Sequence, residues 1–191
     1  YFDPFAGDIR YPLGKKTAFR LELLGLRELE FIRADFLAQG FWPSAAAGAR
    51  LLAKGSVEVW DADKERRGHW RDVPGVAVAD GTSGYELLEK RRPDDTALWL
   101  IDPYDFLAEW REFLPLVVEK AKDAGILLYL YNRSARNTEA FANYRAFRNA
   151  LDDARGDLPK RIGRVAADAF LPRSHHEMIF LPGAADRADP E

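Results

Sequence analysis

The chain has no cysteine among its 191 residues. Without a thiol there is no disulfide, no thiolate metal site and no cysteine nucleophile. It also lacks any apolar run near the roughly 20 residues of a membrane-spanning helix, and no leader pattern opens it. No membrane partner is therefore expected, and a cytoplasmic setting fits the cysteine-free composition. Excess positive charge is missing too: 28 Lys and Arg stand against 31 Asp and Glu, for a net charge of −3. The field of the whole molecule will not pull hard on phosphate. Neither a G-x-x-x-x-G-K-[ST] loop nor a G-x-G-x-x-G after the first strand occurs, so the usual backbone cradles for ATP and dinucleotides are absent.

What is present is an ordinary globular composition, 47% hydrophobic and 31% charged. The length suits one domain with a sizeable core. We expect that domain over residues 1–183, with a small, charged, frayed tail over 184–191. The chain opens at Tyr1 inside an expected strand, without a starting methionine, which leaves room for an upstream piece.

Short apolar runs bounded by turn residues alternate with helical spacings. Tyr1 to Asp3 reads as the end of a strand, and the following Pro4-Phe5-Ala6-Gly7-Asp8 as a turn. Residues 11–40 carry apolar positions at helical spacing and a group of basic residues, Lys15, Lys16, Arg20, Arg27 and Arg33, that reads as a solvated helix face or a phosphate-contacting surface. Phe41 to Ser44 reads as a loop or helix start with Ser44 as cap, and Ala45 to Leu52 as a helix. Strands are expected at Val57–Trp60, Val76–Ala79, Leu98–Ile101 and Ile126–Tyr131. Helices are expected from Lys64 to Trp70, after Ser83, over 106–122 and over Thr138–Leu151. Pro115 should bend or divide the 106–122 helix, which Gly125 should close. Arg161–Phe170 and Met178–Leu181 complete the pattern as two late strands, with His175 and His176 in the loop between them. Adjacent histidines point apart on a strand, so no metal site is expected there. The order predicts an α/β fold: a Rossmann-like, mostly parallel sheet with helices on both faces and an antiparallel C-terminal edge hairpin.

Four of these strands end in an acid: Asp3, Asp61, Asp80 and Asp102. Ligands of open α/β sheets bind beyond the carboxyl ends of the strands. Carboxylates there accept hydrogen bonds from hydroxyl and amine groups and repel phosphate. An acid ending the second such strand is placed to hold a ribose diol. Three of the acids also have a plainer reading. Asp3 can close a β-turn, Asp61 can cap the Lys64 helix, and Asp102 can cap the helix after it. The ligand class that fits the set is a nucleoside bearing an amino group, such as S-adenosylmethionine.

The segments D-P-F-A-G, V-E-V-W-D, A-D-G and L-I-D-P-Y resemble the motifs of class I S-adenosylmethionine methyltransferases. Their order and spacing are most similar to the RlmJ-like family, which methylates an adenine N6 in 23S ribosomal RNA. A weaker resemblance is to the three-Cys-motif partner methyltransferases. The resemblance implies S-adenosylmethionine as cofactor. Asp3, Phe5, Ala6 and Gly7 would cradle its methionine part, Asp61 would hold the ribose, and Asp80 with Gly81 the adenine. It implies that Asp102 and the Pro103 carbonyl accept the two N–H groups of an exocyclic amine, while Tyr104 stacks on a flipped-out adenine. It implies a nucleic-acid partner, RNA before DNA, and no metal. The amine-methylating motif of the family is D-P-P-Y, whereas this chain reads D-P-Y-D at 102–105. A protein or small-molecule acceptor, or a relative that binds without transferring, therefore stand beside the nucleic-acid reading.

Overall fold

The computed structural model describes residues 1–12, 36–52, 55–92, 97–103, 106–132, 138–158, 161–164 and 175–184. The basic stretch from Lys15 to Arg33 lies outside them, as do Tyr104 and Asp105. The chain divides into two compact units, Tyr1–Gly81 and Thr82–Glu191.

In the first unit, strands β1 (Phe2–Asp3), β4 (Val57–Val59) and β5 (Val76–Val78) run parallel in the order β5-β4-β1. The register aligns Asp3 with Val59, and Val59 with Val78. Two further strands, β2 (Arg10–Pro12) and β3 (Phe41–Pro43), form a separate antiparallel pair. The loop or helix start expected at Phe41–Pro43 is thus a strand. Its partner lies some thirty residues earlier, a pairing that no local spacing betrays. The Arg10 guanidinium sits 4.0 Å over the Phe41 ring, and the Ser44 N–H donates to the Ile9 carbonyl at 2.9 Å. Helix α1 (Ala45–Leu52) begins as expected, with the Ser44 hydroxyl accepting from the Ala47 N–H. Helix α2 (Lys64–Arg71) is capped by Asp63, whose carboxylate accepts from the N–H groups of Glu65 and Arg66. These two bonds and the nearby arginines hold the Asp63 carboxyl below its ordinary range. Ala6, Ala46, Ala47, Val57, Val59 and Trp70 form the buried core of this unit.

The second unit starts with helix α3 (Gly84–Lys90), whose cap Ser83 accepts from the Glu86 N–H. Glu86 in turn pairs with Lys90 and accepts from the Thr82 N–H, contacts that pull its carboxyl down to about 2. Strand β6 (Leu98–Ile101) runs parallel to β7 (Gly125–Asn132). Strand β9 (His175–Leu181) joins β7 antiparallel, and β8 (Arg161–Arg164) joins β9 antiparallel. Helices α4 (Phe106–Lys120) and α5 (Thr138–Arg155) bury Trp110, Phe113, Leu114, Val117, Phe147 and Leu151.

Pro115 does not divide α4, which continues as one helix of 15 residues. A proline removes one backbone bond and costs about 3 kcal/mol in a helix interior. Here the ring lies on the exposed side, while Trp110, Phe113, Leu114 and Val117 bury the opposite face at helical spacing. Gly125 does not close the helix either. It opens β7, its N–H donating to the Ala97 carbonyl at 2.9 Å, because the helix has already ended at Lys120. His175 and His176 are strand residues rather than loop, opposite Asn132 and Tyr131. The late strand read over Arg161–Phe170 is β8 at 161–164, and 165–170 lie outside the described residues. The architecture is α/β with mostly parallel strands and an antiparallel C-terminal edge, as the sequence predicts. No described helix is long and apolar enough to cross a membrane.

Candidate functional site

Three of the four acids stand on one rim of the first unit. Asp3 ends β1, Asp61 lies two residues beyond Val59 of β4, and Asp80 two beyond Val78 of β5. Register places Asp3, Val59 and Val78 level with one another. Parallel pairing makes this rim the carboxyl end of all three strands.

The acids do different work there. Asp3 is 1% exposed, and its carboxylate accepts from the Phe5 N–H at 3.0 Å and the Tyr1 hydroxyl at 3.4 Å. That closes the Asx turn anticipated as its plainer reading, so Asp3 shapes the turn from within. The turn then passes through Ala6, buried, with its N–H donating to the Trp60 carbonyl at 3.0 Å. It reaches Gly7 at φ 62°, the left-handed region. The Gly7 N–H donates to Oδ2 of Asp61 at 2.9 Å, a contact spanning 54 residues.

Asp61 is 6% exposed and does not cap α2; that role belongs to Asp63. Its Oδ1 instead accepts from the Asp63 N–H at 2.7 Å. Arg66 approaches Asp61 at 3.7 Å and the half-exposed Asp8 at 3.4 Å. A carboxylate has about four lone-pair directions, so two backbone donors leave Asp61 with acceptor capacity. Asp80 is exposed, and Gly81 is fixed by its carbonyl accepting from the Trp60 indole at 3.1 Å.

In the second unit, Asp102 follows the last residue of β6 and is half-buried, with Pro103 buried beside it. Burial disfavours its charged form and pushes its carboxyl up to about 7. Strand β7 runs on past the residue opposite Ile101, carrying Tyr129, Tyr131 and Asn132 beyond the end of β6. Tyr104 lies outside the described residues, so its stacking role is not placed.

Three residues that sequence reasoning assigned no site role emerge. Trp70, expected only as the end of a helix, donates its indole N–H to the Gly7 carbonyl at 2.9 Å. Arg66 stands one helical turn before it on α2, and that i, i+4 spacing was the only sequence signal. Tyr11 also matters: its hydroxyl lies 2.6 Å from where a Gly7 Cβ would stand. Gly7→Ala is therefore expected to cost about 1–2 kcal/mol, most of it from the left-handed backbone. Tyr11 is 44% exposed and can swing aside. Urea unfolding of the variant measures this cost.

No protein-family model matches the chain, and no curated protein matches it. Among solved structures, the chain is similar to a crystal structure of protein LPL1258 from Legionella pneumophila str. Philadelphia 1, of the family DUF519. The TM-score is 0.70 at 14% sequence identity, covering 95% of this chain and 75% of that one. The two share an α/β fold.

Proposed function

We propose that this protein is an S-adenosylmethionine-dependent methyltransferase acting on an exocyclic adenine amine in nucleic acid, RNA before DNA. The observation that carries the reading is the Gly7–Asp61 hydrogen bond, which ties the D-P-F-A-G turn to the acid of the neighbouring strand end, on a rim that also bears Asp80. The resemblance of the four motif segments supports the same assignment.

The acceptor set suits a nucleoside with a cationic amino-acid tail. Asp61 keeps acceptor capacity for a diol, Asp80 is an exposed carboxylate for an amine, and Gly7 allows close approach to the turn. When bound, S-adenosylmethionine supplies an electrophilic methyl group on a sulfonium that departs as a neutral thioether. The chain's own contribution at the acceptor is Asp102 and the Pro103 carbonyl, which accept the two amine N–H groups and turn the nitrogen lone pair outward. Asp102, with its carboxyl near 7, then takes the proton that the methylated amine sheds. A second reading, a binding partner that holds the cofactor without transferring, is favoured by the single proline in D-P-Y-D.

Calorimetric titration with S-adenosylmethionine and S-adenosylhomocysteine tests the cofactor assignment; micromolar binding is expected, and no heat with either ligand overturns it. Transfer of labelled methyl to total RNA and DNA tests the acceptor. Binding with no transfer to either polymer selects the partner reading.

A further inference from the structure

The loop that would take the methionine end of the cofactor is held by both of its Gly7 hydrogen-bonding groups. The N–H goes to Asp61 and the carbonyl receives the Trp70 indole, across 54 and 63 residues. Bonds on either side of one α-carbon constrain both of its dihedrals, and Gly7 sits at φ 62°, where an untethered glycine has wide freedom. Both anchors are buried. Trp70 is 0% exposed and packed with Val57 and Val59, and Asp61 is 6% exposed. Arg66, on the same face of α2 as Trp70, adds ion pairs to Asp8 and Asp61, though these are long and half-exposed. Surface pairs of that kind contribute little. A buried indole N–H without its acceptor, by contrast, leaves an unsatisfied donor.

We infer that Trp70 is a positioning residue for cofactor binding: through its indole N–H it fixes the Gly7 turn, and through Gly7 it fixes the carboxylate of Asp61. The inference rests on the S-adenosylmethionine reading above. Because the same Asp61 oxygen accepts the Gly7 N–H and faces Arg66, a turn that drifts takes the ribose acceptor with it. Trp70 touches no reacting atom, so its effect belongs to cofactor affinity and not to the chemical step.

Trp70→Phe keeps most of the ring volume and deletes the donor. The expected result is a Kd for S-adenosylmethionine weakened about tenfold, the scale of one buried hydrogen bond. Turnover at saturating cofactor should stay within about twofold of wild type. Unchanged affinity alongside lowered stability would make Trp70 a packing residue and overturn the inference alone. Wild-type protein that binds neither S-adenosylmethionine nor S-adenosylhomocysteine overturns the cofactor reading and the inference with it. Should Trp70→Phe not fold, the unmodified protein decides by NMR. The Trp70 indole and Gly7 amide signals must then shift together on titration with S-adenosylmethionine, and a Gly7 shift with the indole unmoved counts against the coupling.

Discussion

Asp102→Asn is expected to slow methyl transfer about a hundredfold or more while making the protein more stable at pH 8. The two effects have one cause. Burial beside Pro103 at the end of β6 raises the Asp102 carboxyl from 3.8 to about 7. Between those values the folded state holds a proton that the unfolded state has released, so stability falls as pH rises. Whatever Asp102 contributes is fully present below about pH 4 and is lost by the time pH passes 7. A neutral amide of the same shape avoids that loss. The gain at pH 8 should be on the order of 4 kcal/mol, shrinking toward zero at pH 4. Urea midpoints at a series of pH values read it directly, and a gain that does not vary with pH would show that burial of the charge is not the cause.

The catalytic half of that prediction runs the opposite way. Only the ionised carboxylate accepts an amine proton, so wild-type transfer should rise with pH and level off above about 7. Asparagine offers no such base, and a loss of about a hundredfold or more is expected. Cofactor affinity should stay near wild type, because the residues proposed to hold the cofactor lie on the strand ends of the first unit. A variant that transfers methyl at the wild-type rate would remove Asp102 from the chemistry.

Gly183→Ala is expected to destabilise the protein by about 3 kcal/mol, the upper end for overpacking. A Cβ there would stand 2.5 Å from the Ala124 carbonyl carbon and the Gly125 nitrogen, and 2.8 Å from the Asp123 oxygen. All three are backbone atoms of the turn between α4 and β7, and that turn is held in place. The Gly125 N–H donates to Ala97, and the Ala184 N–H donates to the Asp123 carbonyl at 3.1 Å. Relief would have to pull the end of β9 away from the turn. Gly48 on α1 is the contrast, with nothing within 4 Å of an added Cβ. Gly48→Ala should stabilise by up to about 1 kcal/mol through helix propensity. Chemical denaturation of the two variants side by side checks the pair; equal effects would mean that close approach to backbone is not what keeps Gly183.

Much of this was written locally in the sequence, and the failures have local causes. Ser44 and Ser83 were readable as helix caps because each precedes a helical run, and a hydroxyl at that place satisfies an otherwise orphaned N–H. Asp61 was ambiguous because an acid at a strand end just before a helix can cap that helix or face a ligand. The cap is Asp63, while Asp61 accepts from the Gly7 turn. Phe41–Pro43 misled because its partner strand is remote in the chain. Pro115 misled because a helix breaker on an exposed face yields to the packing of the opposite face.

The sequence by itself determined where chain direction changes and which strand ends carry carboxylates, since periodicity, caps and turn residues act over a few neighbours. It could not determine what those carboxylates hold. Asp3 turned inward to its own turn, Asp61 reached a glycine 54 residues away, and Trp70 reached the same glycine from 63. Only parallel pairing of β1 with β4 brings those groups within bonding distance, and hydrogen bonds between distant residues depend on that register and not on local spacing.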